Sequence, residues 1–270
     1  MTATATASPW AAHRPRGEAL RERHPFAGEL LTLYLALLEV WEEAWRAARA
    51  DPPDALAPWA AEHVLPAVVR CTVRFGPQPL SAAVGELGAV EPLLAGWLAG
   101  AELAPVERYL ARAVLRGPIE AVDPAAACAG DPAPRGGRHC PLCGGRPQLS
   151  YRTDAADALV TGRRFLTCVR CARSWPYTGN ACASCGETAG ARRTVFAERP
   201  GAPVVGRRSA GLLPHLRVEG CESCSRYLID VDLGVDGRAV PEVDELTALP
   251  LDLYAGERGL EKIAPNLMGF

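Results

Sequence analysis

The sequence predicts an α+β fold that consists of an N-terminal α-helical bundle, two small metal-stabilised modules and a C-terminal helix. Three observations support this prediction. Apolar residues recur at three- and four-residue steps in the N-terminal half. Four Cys-x-x-Cys pairs lie between residues 140 and 224, and short β-branched or alternating segments surround them. A chain of 270 residues is also long for one compact core.

Residues 1–24 are assigned as a flexible N-terminus, and residues 25–122 as the α-helical domain. One apolar stripe predicts a long amphipathic helix near the start of this domain, formed by Leu30, Leu33, Tyr34, Leu37, Leu38, Trp41 and Trp45. Glycine and proline separate further predicted helices at 58–73, 80–98 with a break at Pro92, and 105–116. Residues 123–138 are rich in Pro, Gly and Ala without periodicity, which predicts a linker.

Beyond the linker, five segments have the composition of strands: 147–153, 163–168, 192–198, 215–221 and 226–233. They are too short for us to expect a sheet with its own core. Metal coordination by thiolates would supply the missing stability, because a structural site contributes roughly 10–16 kcal/mol to the folding of small peptides. The sequence therefore predicts a first module at 139–180 and a second at 181–233, followed by a C-terminal helix and tail at 234–270.

Glycine follows the second cysteine of the first and third Cys-x-x-Cys pairs, whereas Ala172 and Ser225 follow the second and fourth. This alternation predicts a duplicated unit and two metal sites, each with four cysteine ligands. Site 1 is Cys140, Cys143, Cys168 and Cys171, and site 2 is Cys182, Cys185, Cys221 and Cys224. The alternative joins the two central pairs and leaves the outer pairs to close a longer loop, which costs only modest loop entropy. Tetrahedral sulfur sites accept zinc or iron.

The sequence contains no residue pattern that indicates catalysis, so we expect a protein that is not an enzyme. Four protein ligands leave a metal no open position for water. Cys71 lies on an apolar helical stripe and is expected to be buried, and Cys128 has no neighbour that would activate it. Trp175 follows Cys171 by four residues and is expected to shield the metal. It is also the candidate partner-binding residue, since an exposed tryptophan marks a binding hot spot.

Charge is distributed unevenly along the metal-binding half. Residues 135–217 contain 14 arginines and 4 acidic residues, whereas residues 219–262 contain 11 acidic and 4 basic residues. This segregation favours a protein or intramolecular partner over nucleic acid. No apolar run reaches the roughly 18 residues of a membrane span, and the N-terminus lacks an apolar signal region. We therefore expect a cytoplasmic protein, in which the cysteines bind metal instead of forming disulfides.

An ordered series of motifs resembles the FdhE-type formate dehydrogenase accessory proteins. The series is CPLCG at 140–144, RFLTCVRCARSW at 164–175, CASCG at 182–186, CESCSRYL at 221–228, VDELTALPLDLYAGERGL at 243–260 and NLMGF at 266–270. It covers about half of the chain. An insertion-like segment at 202–214 departs from the family pattern. Leu246, Leu249 and Leu253 predict an amphipathic helix over 243–260 that packs on the modules.

The resemblance implies two rubredoxin-like modules and a cytoplasmic assembly factor, or chaperone, for formate dehydrogenase. It also implies contact with the molybdopterin-containing catalytic subunit of that enzyme. Two alternatives remain: a rubredoxin-like protein that transfers electrons to or from the client and, less favoured, a nucleic-acid-binding zinc ribbon. The sequence leaves open whether the metals are zinc or iron, and whether the chain forms a homodimer.

Overall fold

A computed structural model of the chain describes residues 8–128, 137–154, 162–198 and 211–269. The chain divides into two compact units, Met1–Gly130 and Asp131–Phe270. The division falls within the segment predicted as a linker, of which residues 129–136 lie outside the described residues. The start of that segment is not a linker, because residues 124–127 form a helical turn in which Asp123 caps the backbone N–H of Ala125.

The first unit is helical. Its elements are α1 (His13–Arg23), α2 (Gly28–Ala50), α3 (Leu56–His63), α4 (Leu65–Phe75), α5 (Gln78–Gly85), α6 (Glu91–Ala99), α7 (Pro105–Ile119) and α8 (Pro124–Ala127). The long helix α2 packs against α1, α4 and α7. Among the described residues, no helix has both the length and the apolarity needed to cross a membrane.

The predicted apolar stripe lies on α2, where Leu30 is half-buried and the other six members are buried. The indole Nε1 of Trp41 donates a hydrogen bond to the Ala113 carbonyl of α7 at 2.8 Å. At Gly117 of α7, an added Cβ would lie 2.7 Å from the Trp41 carbonyl oxygen. Glycine at this position therefore allows the close approach of α7 to α2.

The prediction of a flexible N-terminus over residues 1–24 was wrong for its described part. Residues 13–23 form α1, and Trp10 and Leu20 are 1% and 0% exposed. The Trp10 ring lies 6.2 Å from that of Trp41. The apolar periodicity of this segment is too weak to predict a helix, but burial of Trp10 and Leu20 stabilises it.

Two of the predicted helices are each divided in the structure. The segment 58–73 belongs to α3 and α4, which are interrupted at Val64. The segment 80–98, predicted with a break at Pro92, belongs to α5 and α6, and the break lies between Gly85 and Glu91, just before that proline. Pro92 lies in the first turn of α6, where the missing N–H of proline costs no hydrogen bond.

The second unit contains one mixed sheet. Its strands are β1 (Pro147–Arg152), β2 (Arg164–Cys168), β3 (Ser174–Pro176), β4 (Arg193–Ala197), β5 (Leu216–Cys221), β6 (Arg226–Asp232) and β7 (Glu261–Lys262). The order is β3-β2-β1-β6-β5-β4, and β7 also pairs with β6. Strands β1 and β6 are parallel, with Leu149 opposite Ile229. The strands of the two predicted modules, 139–180 and 181–233, thus form one continuous sheet.

The expectation that these strands cannot build a sheet with its own core was wrong, because the two sets of strands combine. The apolar cluster on this sheet consists of Leu213, Leu216, Val218, Tyr227, Ile229, Val231, Ala248, Leu251 and Ala255. Three of these residues come from the C-terminal segment. Pooling strands and covering them with helix buries more apolar surface than either module could bury alone.

The C-terminal segment differs from the single helix predicted over 243–260. It forms α9 (Pro241–Asp244), a 3₁₀ turn (Glu245–Thr247) and α10 (Leu249–Glu257). Pro250 lies in the first turn of α10 and prevents the preceding turn from continuing as α-helix. The break rotates the buried face, so that Leu246 is buried but Leu253 is 61% exposed.

Candidate metal centres

Each Cys-x-x-Cys pair lies in a tight turn at the end of a strand or in the loop before one. In three turns, the backbone N–H after the second cysteine donates to the carbonyl of the first: Gly144 to Cys140 (2.9 Å), Ala172 to Cys168 (3.1 Å) and Gly186 to Cys182 (3.0 Å). Backbone N–H groups also point at sulfur, from Arg170 to Cys168 Sγ (3.3 Å) and from Ser184 to Cys182 Sγ (3.4 Å). Such bonds favour the thiolate form of a cysteine.

All four turns have the same left-handed residue after the second cysteine. The φ angles are 69° at Gly144, 55° at Ala172, 85° at Gly186 and 53° at Ser225. The alternation of glycine with other residues in the sequence therefore does not correspond to two kinds of turn. Ala172 and Ser225 adopt a backbone conformation that costs L-residues roughly 1–2 kcal/mol.

The first cluster brings together Cys140, Cys143, Cys168 and Cys171, all of them buried. Its shortest Sγ–Sγ distances are 3.4 Å, from Cys143 to Cys168 and to Cys171, and Cys140 lies 3.6 Å from Cys171. A tetrahedral ion with metal–sulfur bonds of about 2.3 Å separates its sulfurs by about 3.8 Å. The cluster is thus close to the size that such an ion requires.

The second cluster brings together Cys182, Cys185, Cys221 and Cys224. Cys182 lies 3.8 Å from Cys224, and Cys185 lies 3.7 Å from Cys221, measured between sulfurs. In each cluster all four sulfurs lie within 4.8 Å of one another. Each cluster thus combines one Cys-x-x-Cys pair that is followed by glycine with one that is followed by another residue. Among the described residues, the two central pairs do not form a cluster with each other.

The second glycine of CPLCGG has a steric role that the sequence did not reveal. A Cβ on Gly145 would lie 2.6 Å from Cys168 Sγ and 3.3 Å from Cys143 Sγ. Any larger residue here would intrude between two sulfurs of the first cluster. Gly145 therefore gives the two turns of the first cluster room to approach each other.

In each cluster, burial opposes ionisation of at least one cysteine thiol. Burial, followed by hydrogen bonds with the neighbouring thiols, raises the pKa of Cys168 well above its ordinary value. In the second cluster, burial raises the pKa of Cys224 to about 12. Four crowded thiols resist ionisation unless a positive charge compensates them. The two four-cysteine sites could therefore hold two metal ions, and zinc and iron both fit the sulfur set.

Three other predicted residues lie away from the solvent. Trp175 is 5% exposed, and its indole N–H donates to the Gly137 carbonyl at 2.7 Å. A partner-binding role would require an exposed ring, and the buried ring of Trp175 offers no contact surface. Cys71 is 8% exposed, and burial, reinforced by Glu39, raises its pKa to about 11. Cys128 is also buried.

The segregated charges meet inside the sheet. Glu219 accepts hydrogen bonds from Arg152, Arg164 and Arg193. Asp230, fully buried, accepts from Arg152 at 3.1 Å and from Arg217 at 2.8 Å. Arginines of the basic segment are thus neutralised by carboxylates of the acidic segment. The sequence showed that basic and acidic residues lie in separate segments, but the pairing of the strands determines which of them form ion pairs.

Comparison with known proteins gives one consistent relationship, although no family model matches the chain. A protein named "Protein FdhE homolog" from Aquifex aeolicus is 31% identical over 132 residues, 49% of this chain and 42% of the relative. Its namesake from Pseudomonas putida is 32% identical over 129 residues, 48% of this chain and 37% of the relative. The sequence match thus spans less than half the length of these curated relatives.

The crystal structure of the FdhE protein from Pseudomonas aeruginosa has the same fold. It superposes with a TM-score of 0.63 at 23% identity, over 96% of this chain and 94% of that one. The chain is thus similar to FdhE proteins in sequence over about half of its length, and in fold over nearly all of it. The FdhE-type fold thus combines, in this chain, a helical unit with one sheet that carries two four-cysteine clusters.

Proposed function

We propose that this FdhE-type chain is a cytoplasmic assembly factor that binds the molybdopterin-containing catalytic subunit of formate dehydrogenase during its maturation. The observation that carries the proposal is the pair of four-cysteine clusters on one sheet, in a chain whose sequence and fold are similar to those of FdhE proteins. Metal in both clusters would fix the turns and strands of the second unit and so present a rigid surface to the client. The site residues are the eight cysteines assigned from the sequence.

The proposed role is not enzymatic. Both clusters have four protein ligands, so a bound ion would keep no open position for substrate or water. The buried thiols of Cys71 and Cys128 lie outside both clusters. The raised pKa of Cys71 also makes it a poor nucleophile. These features support a role in which the chain binds its client and does not catalyse a reaction.

A pull-down with a purified formate dehydrogenase catalytic subunit tests the proposal. We expect the metal-loaded full-length chain to retain the subunit, and Cys168→Ser to lose retention because the second unit is no longer ordered. Cys71→Ala is the matched control, since it removes a buried thiol outside both clusters. Absence of retention by the folded, metal-loaded protein would count decisively against the proposal. Native mass measurement of the same samples tests for a homodimer.

The exposure of the second cluster favours one alternative, a rubredoxin-like redox protein. Cys185 is exposed and Cys224 is half-buried, so an iron ion there would have a short path for electrons to a partner. Elemental analysis and visible spectroscopy of anaerobically purified protein separate the two functions. Two zinc ions without colour would remove the redox role, whereas a reversible ferric–thiolate band would make it the leading account.

Nucleic acid remains the less favoured partner. The ion pairs of Glu219 and Asp230 engage four arginines, Arg152, Arg164, Arg193 and Arg217, which reduces the positive field that phosphate backbones require. Nucleic-acid binding would show an affinity that falls steeply with salt. We expect no such dependence in a titration with duplex DNA or single-stranded RNA.

A further inference from the structure

A cavity of about 290 Å³ lies between the turns of the two cysteine clusters. His139, which precedes Cys140, and Ser184, inside the third Cys-x-x-Cys turn, both line it. Three arginines, Arg138, Arg146 and Arg226, complete its polar lining. The volume is at the small end of the range of small-molecule sites in proteins.

The charged side chains that line this cavity are all positive. The described residues that line it include three guanidinium groups and no carboxylate. Arg138 donates to the Ser184 carbonyl at 3.0 Å, an acceptor without a formal charge. Arg226 pairs with Glu261 at 2.8 Å, but the Glu261 side chain is 73% exposed, so water screens this pair. The Nδ1 atom of His139 is buried without a hydrogen-bond partner.

The other arginine-rich region of the unit provides the contrast. There Arg152 and Arg164 surround Glu219, whose side chain is 4% exposed. The carboxylates of Glu219 and Asp230 lie inside that network and stabilise its positive charges. A structural role explains the arginines of the network, but no such carboxylate lies in the lining of the cavity between the clusters.

We propose that this cavity binds the phosphate group of a small phosphorylated molecule. Several guanidinium groups on one concave surface suit a multiply charged oxyanion, since each planar fork can donate two parallel N–H bonds to phosphate oxygens. A concave site of this volume suits a compact ligand better than an extended acidic peptide, which would need a long groove. The inference rests on the lining residues and does not depend on binding to formate dehydrogenase.

The position of the cavity makes ligand binding depend on both metal clusters. Arg138 bridges from the segment before the first cluster to Ser184 in the second. Gly186, at the end of that turn, would place a Cβ 3.7 Å from Arg138 Cδ, so this side chain lies against the turn. If either cluster loses its metal, the two edges of the cavity are no longer held at this separation.

Calorimetric titration of metal-loaded, full-length protein with pyrophosphate tests the proposal, with inorganic phosphate and an acidic hexapeptide as parallel ligands at constant ionic strength. We expect saturable binding of pyrophosphate, weaker binding of phosphate and none of the peptide. Arg146→Gln and Arg226→Gln should each weaken pyrophosphate binding about tenfold or more, the usual effect of losing a hydrogen bond to a charged group.

Arg238→Gln is the matched control, because it removes the same charge from an 81% exposed side chain outside the cavity. Its affinity should stay within about twofold of the unaltered protein, because an exposed charge is screened by water and salt. Metal content and thermal unfolding of each variant establish that it is folded. The proposal is overturned if pyrophosphate does not bind, if Arg238→Gln weakens it as much as the cavity variants, or if the acidic peptide binds in its place.

Discussion

The two cysteine clusters share a ligand set and a turn geometry, yet they differ in exposure. In the first cluster the exposed fraction of the four cysteines ranges from 0 to 3%. In the second, Cys185 is exposed and Cys224 is half-buried. Ligand chemistry decides which metals fit, and it is the same at both sites. The surrounding residues determine how readily water, chelators or oxidants would reach a bound metal, and this accessibility differs between the two sites.

Because of this difference in exposure, we expect the two clusters to contribute unequally to the stability of the second unit. The first cluster is part of the buried interior, so removing its metal would expose a void lined with thiols. The second reaches the surface through Cys185 and Cys224, while Cys182 and Cys221 are buried, so water can replace part of the lost contacts. We therefore expect metal binding at the first cluster to contribute more to the free energy of unfolding. We expect the metal of the second cluster to exchange faster with the solution. Four predictions test this contrast, in order of decreasing effect.

Loss of a ligand should have the largest effect at the first cluster. Cys168→Ser removes a sulfur that is 1% exposed, and we expect the free energy of unfolding of the second unit to fall by more than about 5 kcal/mol. Thermal unfolding and metal content per chain measure the effect. Cys185→Ser is the matched variant at the second cluster and should give a folded protein that lacks one metal. Equal destabilisation by the two substitutions would remove the distinction between the clusters.

The sheet that joins the clusters should be sensitive to its buried ion pairs. Glu219→Gln leaves Arg152, Arg164 and Arg193 without their shared carboxylate, and we expect a cost of about 3–5 kcal/mol in chemical denaturation. Asp232→Asn is the control, because its side chain is 28% exposed and lies 3.8 Å from Arg217. That substitution should cost less than about 1 kcal/mol. Similar costs for both would show that burial does not determine the strength of these pairs.

Two glycine substitutions should separate steric from conformational effects at the clusters. Gly145→Ala should cost about 1–3 kcal/mol and change the ligand-field spectrum of the cobalt-substituted first cluster, because its Cβ would lie 2.6 Å from Cys168 Sγ. Gly186→Ala has room for a Cβ and should cost about 1–2 kcal/mol through its φ of 85° alone. Its cobalt spectrum should be unchanged. An unaltered spectrum in Gly145→Ala would contradict the steric role.

Chelation should release the two metals at different rates. With excess chelator and a chromogenic metal indicator, we expect one ion per chain to leave in a fast phase and the other at least about tenfold more slowly, a difference of about 1.4 kcal/mol in activation free energy. The fast phase belongs to the second cluster because Cys185 is exposed. Cys185→Ser should abolish only the fast phase. A single phase for both ions would contradict the contrast in accessibility.

Local patterns predicted much of the second unit. The spacing of the Cys-x-x-Cys pairs and the identity of the following residues favoured the grouping that the structure forms, although they left the central-pair alternative open. The five predicted strands correspond to β1, β2, β4, β5 and β6. Strands β3 and β7 have three and two residues, too few for a periodic signal. The parallel pairing of β1 with β6 could not be predicted, because it joins segments about 80 residues apart through tertiary contacts alone.

Exposure was the least predictable property of the site. The local sequence indicated two roles for Trp175, a shield of the metal and an exposed partner-binding residue, and only packing decides that its ring is buried. Leu253 was assigned to a packed helix face, but packing exposes it. The difference between the clusters has the same origin, since Cys171 and Cys185 occupy equivalent positions in their turns and only the surrounding chain distinguishes them. Ligand identity is a local property of the sequence, whereas solvent access depends on the completed fold.

The parallel pairing of β1 with β6 also bears on how the chain is made. All four ligands of the first cluster have been synthesised at Cys171, but β6 begins only at Arg226. At roughly 5–20 residues per second, translation of the roughly 55 intervening residues takes about 3–11 seconds. During that time one edge of β1 has no neighbour, and an open strand edge invites pairing with other chains. Early metal uptake by the first cluster would hold β1 against β2 through this interval and shorten the nascent chain's exposure to aggregation.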